Sequence, residues 1–219
     1  MNLDFTPILP SIPYILKGIV VTLQIVIIAG VTGFILSILL ALLKISNIRI
    51  LGFLADAYTS IFRGTPLVLQ LMLIYFGSPQ IIGYQIEPYT AAILSFSLNS
   101  AAYISEIIRA GILAVDKGQS EAAMALGVPY NKMMWNIILP QAMKNILPAL
   151  MNEFISLTKE SAIVTTIGVT DIMRRAYIVG GDKFSFFEPL LIAGLIYYLM
   201  VISLTFIGKA IERRMRRSD

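Results

Sequence analysis

Long apolar runs alternate with short polar breaks along this chain, and the runs have the length of bilayer-crossing helices. Gly18 to Leu43 carries no charged residue and is closed by Lys44, Arg49 and the turn-forming pair Ser46-Asn47. A hydrocarbon core takes about 20 apolar residues of helix, so this run predicts a first span. A second runs from about Leu54 to Phe76 and is expected to break at Gly77-Ser78-Pro79. A third, from Pro88 to about Val115, opens with a proline suited to a first helical turn. A fourth starts near Ala142 and reaches about Leu157, and a fifth extends from about Phe187 to Gly208. The pattern therefore predicts an all-α integral membrane protein: one transmembrane domain over 1–219, with spans near 14–44, 53–76, 88–115, 142–158 and 187–210. Thr165–Ser185 is too polar to span and predicts a short helix or a re-entrant piece. No repeat of fixed period and no low-complexity stretch interrupts this order.

Composition sharpens the class. The 219 residues are 57% hydrophobic and 14% charged, with a mean hydropathy of +0.80, outside the range of soluble globular domains. Cysteine and histidine are absent, which excludes disulfides, thiol chemistry and the usual zinc and haem ligand sets. The net charge of +4 reads as membrane topology rather than nucleic-acid binding, because the cations flank the apolar runs. Lys44, Arg49, Lys117, Lys132 and the terminal Arg213, Arg214, Arg216 and Arg217 fall on one side; Gly77–Glu87 on the other has neither Lys nor Arg. The positive-inside rule then places the N-terminus outside and the C-terminus in the cytoplasm, with Arg174, Arg175 and Lys183 as the outer-side exceptions. The first run is too long for a cleaved signal segment, and Asp4 with three prolines precedes it rather than a basic stretch.

The loop over 116–140 is the polar stretch with the most internal order. Its alanines favour helix, Asp116 with Gln119 predicts a capping box, and Gly127 followed by Pro129 predicts a stop. The expected element is a helix of about two to three turns. Physical chemistry alone leaves two readings: an ordinary interfacial helix, or a helix that docks in another protein's cleft.

The spacing Glu121-Ala122-Ala123, three residues, Gly127, nine residues, Ile137-x-Leu139-Pro140 resembles the cytoplasmic loop of ABC importer permeases. Phe62-Arg63-Gly64-Thr65-Pro66, Ala102-Tyr103 with Glu106 and Arg109, Gly118-Gln119, Pro148 with Asn152, and Lys159 with Ser161 are similar to the polar amino-acid subfamily, the histidine, glutamine and arginine permeases. The resemblance covers roughly Gly18 to the C-terminus. It implies a type I importer permease fold with five core helices in a bacterial cell membrane. In that family the loop holds a coupling helix, here Gln119, Glu121, Ala122, Ala123 and Gly127, that docks on an ATP-hydrolysing subunit. No Gly-x-x-x-x-Gly-Lys-Ser/Thr occurs in the chain, so ATP and magnesium are expected on that separate partner and no cofactor or catalytic residue here. The other implied partners are an external substrate-binding protein, an amino-acid substrate and a second permease chain, a homodimer being favoured over a heterodimer.

Ionisable groups at membrane depth mark paths or partners. Glu106 and Arg109, at i and i+3, predict a mutual ion pair. Arg63, beside Gly64-Thr65-Pro66, is either a ligand or the anchor of a helix break. Glu153 is expected near the midplane among polar Asn152 and Ser156, either paired with Arg63 or Lys159 or facing a cation carried by the substrate. The second reading points to arginine, lysine or histidine as cargo. Asn99, Tyr103 and Glu106 at i, i+4 and i+7 predict an opposite wall, with amide and phenol for the amino and carboxylate groups, Tyr103 being equally suited to packing. Glu160, Ser161 and Asp171 are expected at the outer mouth, binding a cation or bracketing a gate, unless Asp171 pairs with Arg174. The competing functions are an ion-coupled secondary transporter, a permease for uncharged polar amino acids such as glutamine, and a membrane scaffold. An intramembrane hydrolase is disfavoured by the lack of a histidine base and of paired membrane aspartates.

Overall fold

The structure, a computed structural model, describes residues 4–45 and 48–216. The expected Ser46-Asn47 turn and Arg217 lie outside the described residues. Within them the chain is helical throughout, with no strand. A 3₁₀ turn (Leu9–Ser11) and α1 (Ile12–Leu16) lead into α2 (Gly18–Ile45). Then come α3 (Arg49–Gly64), α4 (Leu67–Ile82), α5 (Pro88–Leu113) and α6 (Lys117–Ala125). Next are α7 (Tyr130–Met133), a π-helical turn (Met134–Ile138) and α8 (Leu139–Glu160). A 3₁₀ segment (Ser161–Ile167), α9 (Ile172–Lys183) and α10 (Phe187–Arg216) complete it.

Among the described residues three helical stretches are long and apolar enough to cross a membrane: Leu9–Lys44, Pro88–Leu113 and Phe187–Met215. A fourth crossing is available if α3 and α4, bent by 104° at their junction, count as one. The expected second span is thus two helices, and its break is not where glycine and proline at 77–79 suggested. α4 runs on through Pro79 to Ile82. Proline removes an N–H and leaves the carbonyl four residues earlier without its helical partner. For Pro79 that carbonyl is Tyr75, and it accepts both the Ser78 hydroxyl at 2.8 Å and the Gln85 amide at 2.7 Å. Local side chains supply the donors that the missing N–H would have given.

Pro66 has the opposite outcome from the same chemistry. It forces Thr65 into extended backbone, φ −123° and ψ 148°, and the helix ends. The carbonyl it frees, Phe62 O, is held by the Gln70 amide at 2.8 Å and the Asn99 amide at 3.2 Å. Gln70 also donates to Thr65 O and Oγ1 and accepts from Asn99 Nδ2 at 2.9 Å. The bend is therefore a built corner, hydrogen-bonded through Gln70 and Asn99 and tied to the middle of α5.

α2 and α5 form the central packed pair through small residues. A Cβ on Gly33 would lie 2.8 Å from Ser100 Cβ and 3.1 Å from Ser97 O, so the backbones approach closely. Thr32 and Ser97 hydroxyls bond across this seam at 2.5 Å. Ile25, Leu71, Phe96, Leu157 and Val164 make one apolar core; Ile104, Ala142, Ile146 and Leu150 form a second that joins α5 to α8. The polar segment after α8 folds as the short helix α9, packed on α1 and α10 through Ile15, Ile172, Ala176 and Ile196. Gly18 allows this seat: a Cβ there would lie 2.5 Å from Ile172 N and 2.6 Å from its Cα. Backbone atoms cannot give way as a side chain does, so Gly18→Val is expected to destabilise the fold by about 2 kcal/mol or more. Its thermal unfolding midpoint in detergent is expected to fall; an unchanged midpoint contradicts this packing.

Candidate functional site

α8 is as long as a span yet falls short of the apolarity of one. Its polar residues explain why. Asn145, Asn152, Lys159 and Glu160 are exposed, with half-buried Ala149 and Ser156 between them, at alternating steps of three and four. Such spacing is one face of a helix. A polar face along a membrane helix needs water or a partner chain rather than lipid.

Glu153 borders this stripe, half-buried, and takes the Ser100 hydroxyl on Oε1 at 3.3 Å. Ser100 lies midway along α5, so the contact is central to the bundle. α8 itself begins at Leu139, before the expected Ala142, which puts Glu153 about 21 Å along it rather than at its middle. Neither Arg63 nor Lys159 pairs with Glu153; among the described residues it has no ion-pair partner. Glu160, seven residues on, shares its face, with Ser156 between them.

About two turns further along α5, charge is concentrated on one carboxylate. Glu106 Oε2 accepts Arg109 Nε at 3.0 Å and Nη2 at 2.8 Å, which is the expected i, i+3 pair. Tertiary structure adds Lys44 on Oε1 and Arg63 Nη1 at 3.7 Å from Oε2. Lys44, with only 6% of its side chain exposed, also bonds Thr59 at 3.0 Å and pairs with Asp56 at 3.3 Å. The role of Lys44 was not visible in the chain, where it marks only the end of a span. Arg63 lies over the Tyr103 ring, 5.4 Å from its centroid. A cleft of about 560 Å³ brings Arg63, Tyr103, Glu106 and Arg109 to Asn145 and Ala149 of the α8 stripe. Asn145, a wall residue of this cleft, carries no charge and is legible in the chain only through the three-four spacing.

Three expected ligands are elsewhere. Asn99 is buried, its amide nitrogen engaged by Phe62 O and Gln70 Oε1, so it holds the α3–α4 corner instead of facing the path. Asp171 is fully buried as the N-cap of α9. Its oxygens take the Arg174 backbone N–H at 2.8 Å and the Tyr197 hydroxyl at 2.9 Å, and no ion pair with the Arg174 guanidinium forms. Ser161 is buried too, donating to Thr158 O at 2.7 Å.

The polar loop forms a second candidate surface. Asp116 Oδ1 caps α6 through Gly118 N–H at 2.7 Å. The expected capping box does not close, because Gln119 Oε1 instead accepts from Gln141 at 3.3 Å. At the other end Gly127, at φ +68°, completes a Schellman stop: its N–H bonds Met124 O, and Val128 N–H bonds Ala123 O, both at 3.0 Å. Ala123 faces inward on Met133 and Ile138, flanked by Ile112, Val115 and Ile137. Glu121 and Ala122 face out, beside Leu126, 83% exposed, and Trp135, 72% exposed. Residues 130–138, expected as loop, are helical and continue into α8, with Pro140 in its first turn.

Residues 33–217 match the model of the family described as binding-protein-dependent transport system inner membrane component. The chain is 61% identical over its whole length, and that of the relative, to the arginine transport system permease protein ArtQ of Bacillus subtilis (strain 168). It is 52% identical to the putative glutamine transport system permease protein GlnP of Rickettsia felis, over 94% of each chain. Among solved structures it is similar to a chain of an amino acid ABC transporter crystallised with histidines, with a TM-score of 0.94 and 42% identity over 98% of this chain and 100% of that one.

Proposed function

This chain belongs to the binding-protein-dependent transport system inner membrane components, and from that premise we propose that it is the membrane subunit of an ATP-driven importer of cationic amino acids. The observation that carries the cargo class is Glu153: a half-buried carboxylate beside the polar face of α8, with a serine hydroxyl for company and no ion-pair partner among the described residues. A carboxylate so placed gains by meeting a positive side chain. The similarity to an arginine permease supports the same class, and the lower similarity to a putative glutamine permease supports the neutral alternative less.

Glu153, Ser156, Asn152 and Glu160 line the outer part of the path, and Tyr103 and Arg63 the inner part. An external binding protein delivers the amino acid, and a second permease chain faces the α8 stripe. The N-terminus is outside and the C-terminus in the cytoplasm of a bacterial cell. The outward side of α6, with Glu121, Ala122 and Leu126, meets an ATPase subunit that binds ATP and magnesium. The permease itself does no chemistry.

Reconstitution with that ATPase and the binding protein tests this. Arginine uptake into proteoliposomes is expected to require ATP on the cytoplasmic face and to persist with a protonophore. Uptake driven by a proton or sodium gradient without ATP makes the protein a secondary transporter instead.

A further inference from the structure

The corner of α5 that holds the charge cluster has the form of a guanidinium receptor, and the chain's own Arg63 sits in it. Tyr103 and Glu106, at i and i+3, turn an aromatic face and a carboxylate into one cleft. Arg63 takes both: its Cζ lies 5.4 Å from the ring centroid and its Nη1 3.7 Å from Glu106 Oε2. Of the three cations on Glu106 it is the outlying one. Arg109, though 51% exposed, holds Oε2 through two N–H donors at 2.8 and 3.0 Å, and Lys44 is buried, whereas Arg63, 45% exposed, is beyond hydrogen-bond distance. Contacts of these kinds at an exposed site are worth about 1 kcal/mol each, so the occupant is exchangeable. Arg63 also stands in the last turn of α3, directly before the 104° corner.

Position suits the cargo. Ser100, against which Glu153 is set, is three residues from Tyr103, about 4.5 Å of helix. The cleft reaches the α8 stripe at Asn145 and Ala149, and its volume of about 560 Å³ is within the range of small-molecule sites. We propose that Tyr103 and Glu106 form an inner subsite for the cationic side chain of the transported amino acid, which takes the place of Arg63 there. This rests on the cationic-importer reading above. The exchange substitutes one cation for another on Glu106, and the displaced Arg63, whose side chain is already 45% exposed, is left to water. A planar guanidinium stacks on the ring better than an ammonium, so arginine gains more than lysine, and a neutral amino acid gains nothing.

The test uses the assembled transporter in nanodiscs for equilibrium binding of labelled arginine and in proteoliposomes for uptake. Arg63→Gln is expected to raise the arginine bound per permease chain by one site, and adding Tyr103→Leu is expected to remove that gain. Tyr103→Leu alone is expected to lower arginine uptake about 3- to 10-fold, from the loss of one cation–π contact, with Tyr103→Phe recovering most of it. Glutamine is the neutral probe, and its signal is expected to be indifferent to Tyr103. Extra arginine sites that survive Tyr103→Leu, or none in Arg63→Gln, overturn the subsite while leaving ATP-driven arginine uptake intact. A wild-type transporter that neither binds nor moves arginine removes both the subsite and the reading beneath it.

Discussion

Replacing Glu153 with glutamine is expected to cut arginine uptake about 30-fold. The side chain keeps its size and can still accept the Ser100 hydroxyl, so packing on α5 is preserved and only the charge is lost. Removing one partner of a buried charge pair costs upward of 2 kcal/mol. Because Glu153 is only half-buried, the lower end of that range is appropriate, and 2 kcal/mol corresponds to about 30-fold. Uptake of a neutral amino acid, where measurable, is expected to change far less, and substrate-stimulated ATP hydrolysis is expected to fall together with arginine uptake. If both arginine responses are unaltered in Glu153→Gln, the carboxylate does not select the cargo.

The second large effect is expected away from the path. Ala123 packs inward on Met133 and Ile138, and a glutamate there has no cation or donor to meet in that apolar cluster. An unpaired buried charge costs several kcal/mol, so α6 is expected to leave its seat. The main cores between α2, α4 and α5 and between α9 and α10 do not include this residue, so the spans are expected to remain folded. Ala123→Glu should therefore abolish ATP-driven uptake, at least tenfold, and weaken co-purification of the ATPase, with little change in thermal unfolding. Wild-type uptake in this variant shows that α6 does not transmit the partner's work.

The apolar runs made the membrane class legible, and the fixed spacing of the loop made its helix, its glycine stop and its family legible, because both are local properties. The Glu106–Arg109 pair was legible for the same reason: i and i+3 on a helix are neighbours whatever else happens. What could not be read was tertiary supply of hydrogen-bond partners. Pro66 and Pro79 look alike in the chain, yet one ends a helix and the other is absorbed: the carbonyl freed at Pro79 is met by nearby Ser78 and Gln85, and that freed at Pro66 by Gln70 of α4 and Asn99 of α5. Asn99 has the side chain of a ligand, and only the α3–α4 corner, dozens of positions away in the chain, shows where its donors go. Asp171 likewise reads in the chain as an outer-mouth carboxylate, because the hydroxyl of Tyr197 that accompanies its burial comes from α10.

The π turn at Met134–Ile138 sets a phase. A turn of that kind carries about one residue more than an α turn, and one residue is about 100° of rotation. It stands between the seat of α6, whose Ala123 touches both Met133 and Ile138, and the first turn of α8. The azimuth at which Asn145, Asn152, Glu153 and Ser156 emerge is thus indexed to the loop through a single wide turn. Were those residues wound as ordinary α-helix, the same side chains would emerge roughly a quarter-turn away, toward lipid or the bundle interior, with the sequence unchanged.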